Sequence, residues 1–89
     1  MRIAIDYDGT YTADPDLWDG FIKAARAAGH KIWIVTCRRG DDEERQDIKV
    51  PGAFIVFTAM MAKKAYCEQR LLNIDIWIDD DPASIIYGK

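Results

Sequence analysis

Two aspartates one residue apart, Asp6 and Asp8, stand directly behind the apolar run Ile3-Ala4-Ile5 and are followed by Gly9-Thr10. A short apolar run closed by a glycine reads as a buried strand ending in a turn. Both carboxylates then sit at the carboxyl edge of a strand, where open α/β sheets bind their ligands. Carboxylates paired at such an edge repel each other unless a cation or a shared proton compensates. An aspartate-rich turn capping a strand would use the same residue types for purely structural reasons. The other chemistry-bearing positions separate the two readings.

A second apolar run, Ile32–Val35, ends in Thr36-Cys37-Arg38-Arg39. A hydroxyl just past a strand can donate to a phosphoryl oxygen, and an arginine fork at a sheet edge suits a phosphate or carboxylate. Arg39, beside Gly40 and the acidic run Asp41–Glu44, is expected to pair with those carboxylates. Farther on, Lys63 and Lys64 open a helical stretch. A cation there opposes the helix dipole unless something acidic faces it. Lys63, nearer the helix start and the sheet edge, is preferred over Lys64. The last apolar run, Ile74–Ile78, leads into Asp79-Asp80-Asp81-Pro82. Oxygen-only ligands of this kind suit Mg²⁺, which takes one or two carboxylates and keeps several waters.

These groups are useful only if elements of the right kind present them. Four runs rich in Ile, Val, Phe and Trp read as strands: Ile3–Ile5, Ile32–Val35, Ala53–Phe57 and Ile74–Ile78. Between the first two lies a clear amphipathic helix. Asp14 suits its N-cap and Pro15 its first turn, with Trp18, Phe21, Ile22, Ala25 and Ala28 on one face and Gly29 at its end. Met60 to Leu72 reads as a second helix with a weaker stripe through Met61, Ala65 and Leu72. Asp41–Lys49 is either a short exposed helix or a loop. Strands alternating with helices predict a parallel sheet with right-handed crossovers. The three tryptophans, Trp18, Trp33 and Trp77, are read as core packing.

The bulk properties set the frame. Eighty-nine residues form one small domain, 1–89, and such a chain buries little more than ~60% of its unfolded surface. A net charge of −3 carries no footprint for nonspecific nucleic-acid binding. Cys37 and Cys67 match no metal spacing and no disulfide framework, which reads as free thiols in a reducing compartment. No apolar run approaches ~20 residues, so no membrane span is expected. No secretory leader is evident, so a cytoplasmic location is expected.

In order, Asp-x-Asp-Gly-Thr, then Thr36, then Lys63, then Asp79-Asp80 resembles the haloacid dehalogenase superfamily of phosphatases, over nearly the whole chain from Arg2 to Pro82. The resemblance implies a Rossmann-like α/β core with strands in the order 3-2-1-4. It implies that Asp6 attacks phosphorus, forming an aspartyl-phosphate. Asp8 would act as the acid and base. Thr36 and Lys63 would hold the phosphoryl oxygens, and Gly9, Thr10, Cys37 and Arg38 would lie on the substrate side. Mg²⁺ would be bound by Asp6, the main-chain carbonyl of Asp8 and Asp80, with Asp79 beside them. Asp80 is the preferred direct ligand and Asp81 is assigned to the turn into Pro82.

The connections leave no room for a cap domain. An open site suits a large or extended substrate, or closure by a second copy of the chain. Thr36-Cys37-Arg38 also looks like the hydroxyl-x-Arg of polynucleotide phosphatase domains, which points to a nucleotide or nucleic-acid end as the phosphorylated partner. The alternative is a phosphate-sensing or protein-binding module on the same fold with little turnover. A phospho-accepting receiver domain is disfavoured, because its accepting Asp follows a middle strand and the middle strands here end in Thr36 and Thr58.

Overall fold

The computed structural model describes residues 1–89, the side chain of Gln46 apart. Strands β1 (Arg2–Ile5), β2 (Lys31–Thr36), β3 (Phe54–Phe57) and β4 (Ile76–Ile78) form one all-parallel sheet in the order β3-β2-β1-β4. Ile3 lies opposite Ile32 and Ile76, and Ile5 opposite Ile34 and Ile78. The carboxyl end of β1 is therefore flanked by those of β2 and β4, the strands that precede Thr36 and Asp79. This is the expected small Rossmann-like sheet with its expected strand order.

Helices flank the sheet. Because side chains alternate along a strand, Ile3, Ile5, Ile32 and Ile34 share one face with Ile22 and Ala25 of α1 (Pro15–Ala27) and with Ile48 and Val50. Ala4 and Val35 share the other face with Cys67 of α3 (Lys63–Gln69). Each buried aliphatic side chain contributes about 1.5–3 kcal/mol relative to exposure. The Asp14 carboxylate accepts the Leu17 N–H at 3.3 Å, and Pro15 sits where its missing N–H costs nothing. At the other end of α1, Gly29 donates to Arg26 O and His30 to Ala25 O, the paired closure expected of a glycine there.

Some boundaries differ from those expected, and one open alternative is settled. The second predicted helix is shorter at both ends. Ala59 and Met60 adopt left-handed conformations, and Leu71 does so beyond the other end. Its buried face runs through Lys63 and Cys67, while Met61 and Ala65 are exposed. The acidic segment forms a short helix, α2 (Asp42–Asp47), capped by Asp41, which accepts from Glu44 N–H at 3.1 Å. The tail beyond the aspartates forms α4 (Ala83–Tyr87). The last strand begins later than expected because Asp75 turns its carboxylate onto Arg2 N–H at 2.7 Å. Both cysteines are free. Among the described residues no helix is long and apolar enough to cross a membrane.

Candidate active site

The carboxyl end of β1 delivers Asp6. Its N–H donates to Ile78 O at 2.9 Å, tying the first residue beyond β1 to the end of β4. Its side chain is nearly buried, and buried beneath it is the ammonium of Lys63 at the first position of α3, 1% exposed. Lys63 Nζ donates to Asp6 Oδ1 at 2.7 Å and to Asp79 Oδ2 at 2.6 Å. The unfavourable placement of a lysine at a helix start is thereby resolved by two carboxylates facing it. Lys64 instead points outward, 4.0 Å from Glu68.

The electrostatics follow from this burial. Loss of solvation pushes the Asp6 carboxyl up to about 6, even though Lys63 pulls it the other way. Burial works against the Lys63 ammonium, but its bonds to Asp6 and Asp79 outweigh that and hold its pKa above the ordinary value. Asp80 is displaced downward by its hydrogen bond with Asp6 and by Thr10.

Two small residues make this density of carboxylates possible. At Gly9, in the left-handed region with φ +88°, a Cβ would lie 2.5 Å from Asp80 Oδ2. Any other residue would push Asp80 out of the cluster. Thr10 Oγ1 accepts the Asp80 N–H at 3.1 Å and reaches Asp80 Oδ1 at 3.0 Å and Asp6 Oδ2 at 3.3 Å. Gly9 and Thr10, expected on the substrate side, lie behind the carboxylates and are absent from the pocket lining. Ser84, at the start of α4, supports Asp79 from beneath at 3.2 Å, and Asp81 N–H donates to the other Asp79 oxygen at 2.9 Å.

In front of Asp6 opens a pocket of about 310 Å³, with Asp8, Thr36, Cys37, Arg38 and Lys63 in its lining. Thr36 is buried at the end of β2. Its hydroxyl accepts the Arg38 N–H at 3.3 Å and its carbonyl the Thr58 N–H at 2.8 Å. Arg38 does turn back over the pocket, but onto Asp8. Its guanidinium donates in a fork, Nε to Oδ2 at 2.9 Å and Nη2 to Oδ1 at 2.8 Å, and lies over the Tyr7 ring. This pairing holds the Asp8 carboxyl below its ordinary range. Arg39 does not pair with the acidic run, since Gly40 N–H takes Glu44 and Arg45 donates to Gly40 O.

Asp6, Asp79 and Asp80 each offer a carboxylate oxygen within 4.8 Å of the others. Three carboxylates against one ammonium leave an excess of negative charge that a divalent cation would offset, and an all-oxygen donor set suits a hard ion of the Mg²⁺ or Ca²⁺ kind. The Asp8 carboxylate stands outside this cluster, so only its carbonyl remains for the role expected of it. No family model matches this chain, and neither curated proteins nor solved structures give a match.

Reading the sequence missed Ser84, Thr58, Met60 and Lys89. Ser84 and Thr58 are single hydroxyls whose importance lies in being buried, which no local pattern announces. Met60 and Lys89 line the pocket only because the loop after β3 and the tail after α4 fold together.

Proposed function

We propose that this protein is a Mg²⁺-dependent phosphohydrolase that works through an aspartyl-phosphate at Asp6. One observation carries the reading: a buried lysine in the lining of the pocket bonds both to Asp6, which lines the pocket with Thr36, and to Asp79 behind it. In this reading an Asp6 oxygen bonds to phosphorus as the bond to the leaving oxygen breaks. Asp8 gives that oxygen its proton, then takes one from the water whose attack on phosphorus restores Asp6 and frees phosphate. Thr36 and Lys63 bind the phosphoryl oxygens and favour the charge that builds on them. Asp6 and Asp80, with the Asp8 carbonyl, would hold Mg²⁺, and Asp79 would anchor Lys63. A bound ion supplies neutralisation of the transferring group.

The Asp8–Arg38 pair favours a second reading, a phosphate-sensing module with little turnover. A carboxylate held by a guanidinium fork gives up its proton readily but regains it poorly. Release of phosphate from an aryl phosphate, with Mg²⁺ and with chelator, tests both. Turnover that chelator abolishes supports the hydrolase. Phosphate binding without turnover supports the sensor, and full activity in chelator would remove the metal assignment.

A further inference from the structure

The carboxylates that line the pocket are all engaged. Asp6 bonds to Lys63, Asp8 to Arg38, and Glu44 to the Gly40 N–H. Two of the cations lining it are held less tightly. Arg39 makes no ion pair among the described residues, and Lys89 makes one long, exposed ion pair, with Asp81 at 3.9 Å. Both side chains are exposed and both line the pocket, which places them at its rim.

Lys89 is held there by more than a loose tail. Ala59 and Met60 are consecutive non-glycine residues with φ +51° and +68°, a conformation such residues rarely adopt. That turn presents Met60 O to the Lys89 N–H at 2.9 Å. Gly88, at φ +77°, passes so close to the same loop that a Cβ would lie 2.7 Å from Ala62 N. The Thr58 hydroxyl, fully buried, donates to Met61 O at 2.9 Å and fixes the turn from inside. The loop after β3 is thus shaped to seat the residue that carries Lys89.

We propose that Arg39 and Lys89 form a subsite for an anionic leaving group, so that the substrate is a compact phosphomonoester bearing one further phosphate. This rests on the phosphohydrolase reading above. A phosphoryl group at Asp6, Lys63 and Thr36 directs its leaving group outward past the rim, where the unpaired Arg39 and the loosely paired Lys89 meet it. A long polyanion fits less well, because the protein carries net charge −3 and offers two such cations rather than a track. A nucleoside 3′,5′-bisphosphate has the required chemistry.

The test compares kcat/KM for adenosine 3′,5′-bisphosphate and for an aryl phosphate in the presence of Mg²⁺. Arg39→Gln and Lys89→Gln are each expected to lower the bisphosphate-to-aryl ratio about fivefold, mostly through KM, as exposed charge contacts do. Lys64→Gln, on the far side of α3's first turn, is the control. Salt should weaken bisphosphate capture more than aryl phosphate capture, because the added contacts are between exposed charges. Calorimetry of bisphosphate binding to Asp6→Asn reads the subsite without turnover. Hydrolysis of both substrates with an unchanged ratio in both variants overturns the subsite and leaves the hydrolase standing. Bisphosphate binding that weakens in both variants, with no hydrolysis of either substrate, supports the subsite and overturns the hydrolase. Absence of both binding and turnover overturns the two together, and a larger gain for a long oligonucleotide than for the bisphosphate overturns the compact-substrate assignment.

Discussion

The two ends of the sheet are built from the same strands and differ in what they bury. Every buried polar or charged residue among those described, Asp6, Thr10, Thr36, Thr58, Lys63 and Ser84, lies at or beyond the carboxyl ends of the strands. The opposite end has a larger cavity, about 510 Å³, lined by Arg26, His30 and Lys31 among glycines and apolar residues. Arg26 and Lys31 are exposed there. The smaller cavity is the stronger candidate for chemistry, because its polar groups are desolvated and matched to one another, which a protein sustains only where the partners are fixed. Size alone would point to the other end.

The sharpest way to break the comparison is to remove the proposed nucleophile. If Asp6 forms the covalent bond, Asp6→Asn should lower turnover at least about a thousandfold. The fold should persist, since the amide is nearly the same shape and relieves repulsion with Asp79 and Asp80. Wild-type turnover in purified Asp6→Asn would end the covalent mechanism.

Next in size is the lysine. Lys63→Met leaves Asp6 and Asp79 buried against an apolar chain, and breaking a buried ion pair from one side costs about 3–5 kcal/mol. Lys31→Met at the other end should stay within about 0.5 kcal/mol of wild type. Urea denaturation of the two variants measures the contrast. Equal losses would mean that the two ends do not differ in the way described.

How much of this was legible beforehand depends on whether the information is local. The strand runs, the Asp14-Pro15 helix start and the acidic pairs are sequence-neighbour features, and the sheet and its order are as expected. The resemblance brought Asp6, Lys63, Thr36 and Asp79-Asp80 to one edge; in the structure the side chains of Asp6, Lys63, Asp79 and Asp80 cluster, and Thr36 lines one pocket with Asp6 and Lys63. What stayed hidden is non-local. Thr10 and Gly9 look like substrate-facing loop residues, yet they hold Asp80 in place from behind, a role created by a partner seventy positions away. The stripe through Met61 and Ala65 failed because α3 buries a lysine, which a hydrophobic pattern cannot count as core. Arg38 was placed at the correct edge, but its partner, Asp8, is on another strand's loop.

Mg²⁺ offers a smaller but cleaner contrast. Bound by the native state alone, it should stabilise the protein by about 2.7 kcal/mol at a hundredfold excess over its dissociation constant. In the absence of metal the pH dependence reports the buried acid. Asp6 binds its proton more tightly folded than unfolded, with a folded value of about 6. The folded state therefore gains stability as pH falls from about 6 toward the ordinary carboxyl range near 4. Asp6→Asn should abolish that gain, and saturating Mg²⁺ should oppose it. A melting temperature that falls steadily between pH 6 and pH 4 in metal-free wild type, with Asp6→Asn behaving identically, would contradict the assignment.

The smallest expected effect tests the neighbour two residues on. Asp8 and Asp6 share a turn, yet Asp8 is half exposed and held by a guanidinium, while Asp6 is buried over an ammonium it shares. Asp8 is displaced downward chiefly by its hydrogen bonds to Arg38. The sign is then opposite to that of Asp6. The pair's contribution is present above the ordinary carboxyl range and is lost as pH falls through the depressed value of Asp8. Because both side chains meet solvent, Arg38→Gln should cost no more than about 1 kcal/mol at neutral pH, and that cost should vanish in acid. Carbon NMR of the Asp8 carboxyl should show its titration moving up toward the ordinary value in the variant, while that of Asp6 stays high. A loss of several kcal/mol, or an Asp8 titration that does not move, would show that Arg38 is part of the buried network rather than a solvated latch on the acid that lies above it.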